Sequence, residues 1–91
     1  MPITFEIPEE LQRYSAGQAE LVVSATTLID AFAAAFEQFP DLQSRVLSDE
    51  GDFHPWIPVF LNGQKVTARR PGTQSVGDGD RIELAVLASG G

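Results

Sequence analysis

One apolar stripe limits what this chain can fold into. Between Thr26 and Phe39, Leu28, Ile29, Phe32, Phe36 and Phe39 recur at i, i+3, i+4 and i+7 spacing, the signature of a helix with one apolar face. Thr26 or Thr27 is suited to cap its start, and Asp30 falls in the first turn, where the helix dipole favours an anion. Asp30, Ala34, Glu37 and Gln38 take the other side. Pro40 ends the helix, because the residue before a proline is pushed out of the α region. Residues 41–47 are expected to add a further turn or two, with Leu42, Val46 and Leu47 inward. An aromatic stripe of this kind is read as core rather than as a cofactor box. A single long helix cannot bury such a stripe alone; it needs a sheet to lie on.

The flanking sequence supplies one. Ile3-Thr4-Phe5-Glu6-Ile7 alternates apolar and polar residues, the pattern of a strand with one buried face, and Pro8 ends it. Pro8 to Gln18 is polar, contains Gly17 and is expected to be a loop, with Tyr14 as a partly buried anchor. Glu20-Leu21-Val22-Val23-Ser24 is a second strand, antiparallel to the first. Residues 57–66 read as strand, turn and short return, since Asn62-Gly63 between apolar runs is the strongest short-range hairpin signal. Residues 67–76 cross back over the surface. There Arg69 and Arg70 are either a solvated pair or a dock for a phosphate or an acidic partner. Gly77 to Asp80 turns into a last strand, with Ile82, Leu84 and Val86 facing the core and Glu83, Ala85 and Leu87 outward. The order β-β-α-(turn)-β-β-β, with one long helix covering one face of a mixed sheet, is an α+β design. Two hairpins around a helix with the last strand central make the ubiquitin-like β-grasp arrangement. One β-grasp domain over residues 1–87 and a flexible tail over residues 88–91 are expected.

Composition removes whole classes of function. Ninety-one residues make one domain without a deep cleft between lobes. The formal charge of −7 argues against nucleic acid and anionic membrane and suits a protein partner with a basic patch. Without cysteine, disulfides, thiolate metal sites and thiol nucleophiles are excluded. No signal peptide or membrane-length apolar run is seen, so a cytoplasmic protein is expected. The irregular stretch 48–58 holds the sole histidine, His54, after Asp49, Glu50 and Asp52. One histidine without a second or a cysteine makes a poor transition-metal site, and the acids lack calcium-loop spacing. No metal is expected there. Phe53 and Trp56 are expected to cover an edge of the core.

The end of the sequence carries the chemistry. The last strand runs without a linker into Ala88-Ser89-Gly90-Gly91. Two glycines, lacking Cβ, pass through a channel too narrow for other residues. Fully extended, these four residues reach on the order of 13 Å beyond the strand. A frayed terminus is the plain alternative, but departure directly from a core strand favours function. Gly91 would present an α-carboxylate, with Gly90 and Ser89 as the tail behind it.

The Thr26-Thr27-Leu28 helix start, Val59-Phe60-Leu61-Asn62-Gly63, Gly79-Asp80-Arg81-Ile82 and Gly90-Gly91, in this order, resemble the ubiquitin-like sulfur carriers of bacteria. That family includes the small subunit of molybdopterin synthase (MoaD), the thiamin carrier (ThiS) and the carrier of thiocarboxylate-dependent cysteine synthesis (CysO). The likeness covers essentially the whole chain. Its length and the loop ahead of the third strand look closer to the cysteine-synthesis type, and a carrier for a specialised thio-metabolite is equally compatible. Some members carry prolines before the tail, where this chain has Val86-Leu87-Ala88-Ser89.

The resemblance implies a protein cosubstrate rather than an enzyme. A ubiquitin-activating-type enzyme would use ATP to adenylate Gly91, and a sulfur donor would convert it to a thiocarboxylate for a sulfur-accepting biosynthetic enzyme. No cofactor would be bound by the chain itself. Phe60, Ala85 and Leu87 on the outward sheet face are the candidate docking residues, apolar surface on a small protein often marking an interface. The competing class is a modifier joined through Gly91 to target lysines; Lys65 is the chain's only lysine. A third is an interaction domain with an inert tail.

Overall fold

The computed structural model describes residues 2–87. Strand β1 (Pro2–Glu6) leads through a 3-10 helix (Glu9–Tyr14) to β2 (Glu20–Ser24). Helices α1 (Leu28–Gln38) and α2 (Pro40–Val46) follow, then β3 (Val59–Leu61), β4 (Gln64–Lys65) and β5 (Arg81–Leu84). The strands form one sheet in the order β2-β1-β5-β3-β4. β5 is parallel to β1 and antiparallel to β3, so the sheet is mixed and the last strand is central.

Alternation sets the register. Ile3, Phe5, Leu21, Val23, Val59, Ile82 and Leu84 are all buried on the helix side. Phe5 lies beside both Leu21 and Ile82. A slip of one residue would carry any of these strands' apolar sets to solvent, which is why the pairing is specific. At the β3–β4 turn Asn62 and Gly63 both have positive φ, 51° and 84°, the pair of values a type I′ hairpin requires.

Helix α1 begins at Thr27, whose extended backbone and Oγ1, accepting the Asp30 N–H at 3.2 Å, make the N-cap. Two further N–H groups of the first turn, on Leu28 and Ile29, donate to the carbonyls of Gln74 and Gly72. The 67–76 crossing thus satisfies groups that every helix start leaves open. The buried face is Leu28, Ala31, Phe32, Ala35 and Phe36, with Phe39 half-buried. Ile29, placed in the apolar stripe by spacing alone, is 46% exposed. The helix is rolled toward Ala31 and Ala35, whose small side chains let its backbone come close to the sheet.

Phe32 joins the layers. Its ring meets Phe5 of the sheet edge-on at 5.0 Å between centroids, Phe53 of the 48–58 loop at 5.5 Å and Phe36 at 5.8 Å. Pro40 ends α1 and is the first residue of α2, a position where its missing N–H costs nothing. Leu42 and Val46 of α2 are buried, while Leu47 is half-buried.

Two segments differ from expectation. Residues 8–18 are not a plain loop. Glu9–Tyr14 forms the 3-10 helix because Leu11 buries its side chain against the core. Ser15, fully buried, donates its hydroxyl to the Gln18 carbonyl at 2.8 Å. Tyr14 does sit half-buried, with the Arg45 guanidinium 4.5 Å over its ring. In the 48–58 loop Phe53 covers the core as expected, but Trp56 is 50% exposed. Its indole stacks on His54 instead, at 4.4 Å and 9° between planes.

The Phe32 contacts lead to a quantitative expectation. Phe32→Ala removes a nearly fully buried ring touching three others, so unfolding in urea is expected to show a loss of about 3–5 kcal/mol. Thr27→Ala, which removes only the cap, is expected to lose about 1 kcal/mol.

Candidate functional site

The candidate site is the end of β5. What holds that strand fixes the position of Leu87, the last residue described.

At its start, the Gly77–Asp80 turn is fastened to the β3–β4 hairpin. The Asp80 carboxylate accepts the Gly77 N–H at 2.7 Å and the Asn62 side-chain amide at 3.0 Å. Asn62 in turn accepts the Arg81 N–H at 2.9 Å, and its own N–H donates to the Arg81 carbonyl at 2.8 Å. Gly79, at φ 86°, allows the turn to close onto the Pro2 carbonyl. Two N–H donors on one carboxylate favour its ionised form, so Asp80 is held below the usual carboxylate range, chiefly by the Gly77 N–H and then by Asn62.

Across the outward face, Arg81 donates its Nε–H to Glu6 and its terminal nitrogen to Glu20 at 2.7 Å. One guanidinium thereby spans β5, β1 and β2. The two carboxylates raise its already high pKa, Glu6 first. Neither this bridge nor the Asn62–Asp80 link is legible in the sequence. The motif residues themselves were visible, but not that positions 62 and 80 meet.

Beyond Leu84 the chain stays paired. Ala85 donates to the Pro58 carbonyl and Leu87 to the Trp56 carbonyl, each at 3.0 Å. The 48–58 loop therefore acts as a continuation of β3 and guides the strand to its last described residue. Of the expected docking residues, Phe60 and Ala85 are half-buried and Leu87 is 54% exposed. Phe60 stands opposite Glu83 and Lys65, so Ala85 is its diagonal neighbour on the outward face. Leu87 follows at the strand's exit, beside the His54–Trp56 stack. Ser89, Gly90 and Gly91 lie outside the described residues.

The other candidate chemistry is accounted for. Arg70 pairs with Asp52 at 2.6 Å, and Arg69 lies 3.7 Å from the same carboxylate. His54 Nε2 lies 3.0 Å from the Ser44 carbonyl. Among the described residues no group of three His, Cys, Asp or Glu side chains is placed to hold a metal ion, and no helix is long and apolar enough to cross a membrane.

A mixed sheet with central β5, one principal helix across it and a hairpin at each side is the ubiquitin-like β-grasp fold. Solved structures agree. A chain of the Amycolatopsis orientalis BexX/CysO complex superposes with a TM-score of 0.84 at 21% identity, over 98% of this chain and 99% of that one. The small archaeal modifier protein SAMP1 from Haloferax volcanii gives 0.82 at 26% identity, with both chains fully covered. Mycobacterium tuberculosis CysO gives 0.81 at 21%, over 92% and 97%. The chain is thus similar to CysO, SAMP1 and related ubiquitin-like proteins. No protein-family model matches the sequence, and no curated protein does.

The Asp80 link has a pH signature. A carboxylate whose pKa is lower in the folded chain contributes stability above its ordinary value, near 3.8, and that contribution is lost as pH falls through the folded value. Thermal unfolding followed from pH 7 down to 2 is expected to show this loss at its acid end. Asp80→Asn is expected to start lower at neutral pH and to lack that part of the acid dependence.

Proposed function

We propose that this chain is a ubiquitin-like sulfur carrier whose reactive group is the Gly91 carboxylate. The observation that supports the reading best is that the chain is held between β1 and β3 over Arg81–Leu84 and then by the Ala85 and Leu87 bonds to the 48–58 loop. Backbone bonds thus hold the chain as far as Leu87, four positions before Gly91 in the sequence, which supports a tail presented from a fixed exit. Likeness over the full chain to CysO and SAMP1 structures supports the same class.

The chemistry follows from the tail. A carboxylate is a poor acyl electrophile, because attack must expel oxide. A ubiquitin-activating-type enzyme would let the Gly91 oxygen attack the α-phosphorus of ATP, releasing pyrophosphate and leaving an acyl adenylate. A hydrosulfide-level donor would then attack the acyl carbon, AMP would leave with the bonding electron pair, and a thiocarboxylate would result. A thioacid is ionised at neutral pH and is a competent sulfur nucleophile for an accepting biosynthetic enzyme. The chain would act in the cytoplasm as a cosubstrate of both enzymes. Phe60, Ala85 and Leu87 would meet them, and ATP would be bound by the activating enzyme alone.

The likeness to SAMP1, a modifier by name, supports a second reading, conjugation of Gly91 to target lysines. Both use the same activation, so product rather than activation separates them. Intact mass of protein from its native host is expected to exceed the sequence mass by about 16 Da, and this form should alkylate readily in a chain without cysteine. Deletion of Gly90-Gly91 is expected to abolish the shift. Gly91 found instead on lysines of other proteins would establish the modifier, and neither product would leave the tail inert.

A further inference from the structure

The exit of β5 lies between two grooves of opposite charge. On the β4 side, the groove that Leu87 enters is lined by Lys65, Arg69 and His54 together with apolar residues, and by no carboxylate. On the β1 side, the groove along Ala85 and Val86 is lined by Glu6, Glu10 and Glu83, and by no cation. The chain as a whole has thirteen acidic residues against six basic, so a groove with two cations and no acid runs against its general charge. Arg69 is 81% exposed and only loosely held, since Asp52 pairs more closely with Arg70. Lys65 makes no ion pair among the described residues.

We propose that these two grooves form a charge-polarised collar that sets the rotational angle at which the enzyme receiving the tail docks. This inference rests on the carrier reading above. A narrow tail entering a channel fixes the position of the body along one axis but leaves it free to turn about that axis. Opposed charges on the two sides of the exit remove that freedom, because charge complementarity suppresses wrong orientations and fixes register. The occupant is the channel mouth of the adenylating enzyme, with a carboxylate against Lys65 and Arg69 and a cation against Glu10 and Glu83. Net charge alone cannot supply this, since −7 spread over the surface attracts a basic partner without orienting it.

Charge reversal on each side distinguishes a collar from overall attraction. The double variant Lys65→Glu, Arg69→Glu makes the chain more negative, and Glu10→Lys, Glu83→Lys makes it less so. All four side chains are exposed, and Glu6 is left in place because it pairs with Arg81. ATP–pyrophosphate exchange would be measured with the ubiquitin-activating-type enzyme of the source organism, alongside thermal midpoints to confirm folding. A collar raises KM in both variants, by about tenfold at low salt, leaves kcat unchanged, and the difference shrinks as salt screens it. Effects of opposite sign in the two variants would reduce the grooves to a share of net charge and overturn the proposal, as would unchanged KM in either. If wild-type protein is not adenylated at all, it is the carrier reading that fails.

Discussion

The edge-on contact between Phe32 and Phe5 is the constraint from which the rest of this structure follows. It holds the helix on the sheet. The same Phe32 ring also packs on Phe53, which together with buried Ile57 and the His54 N–H bond to the Val46 carbonyl anchors the irregular loop. That loop supplies the Trp56 and Pro58 carbonyls to which Leu87 and Ala85 are bonded. Core packing is in this way transmitted to the C-terminal exit through three steps of direct contact. A close-packed interior has little give, so the exit inherits the rigidity of the core.

Hydrogen bonding provides the second support. The β3–β4 hairpin and the turn before β5 are remote in sequence, yet Asn62, Asp80 and Gly77 close into one network. Each member satisfies a group that a tight turn would leave unpaired. On the outward face, Arg81 ties three strands through two carboxylates. These exposed pairs contribute little individually; their geometric effect is to hold Glu6 and Glu20 on the β1 side, while the opposite side of β5 carries Lys65, which makes no ion pair among the described residues.

Much of the architecture was legible in residue patterns. Alternation in residues 3–7 and 20–24 marked β1 and β2 and their pairing, because burial of one sheet face demands period two. Asn62-Gly63 marked the hairpin because few residues accept positive φ. Pro40 marked one helix end and the pair Thr26-Thr27 the other, for reasons equally local, and the structure assigns the cap to Thr27. The failures share a cause. Ile29 fits the stripe by spacing, but the roll of α1 depends on how near Ala31 and Ala35 allow it to approach the sheet. Leu11 looked like part of a polar loop because its burial comes from elements far along the chain. Trp56 was read as core because an indole usually is; only the fold shows that Phe53 already fills that place.

The sequence by itself determined the strands, the principal helix, the type I′ turn and a diglycine end following a core strand. Each depends on a residue's own conformational range or on a short periodicity. The central place of the last strand was also expected; only the tertiary structure decided that its neighbours are β1, in parallel, and β3, in antiparallel pairing. It also decided that Asn62 meets Asp80, that the 48–58 loop escorts the chain to Leu87, and that the exit falls between grooves of opposite charge. Those relations join positions tens of residues apart, and they follow from the packing of helix on sheet rather than from any local preference.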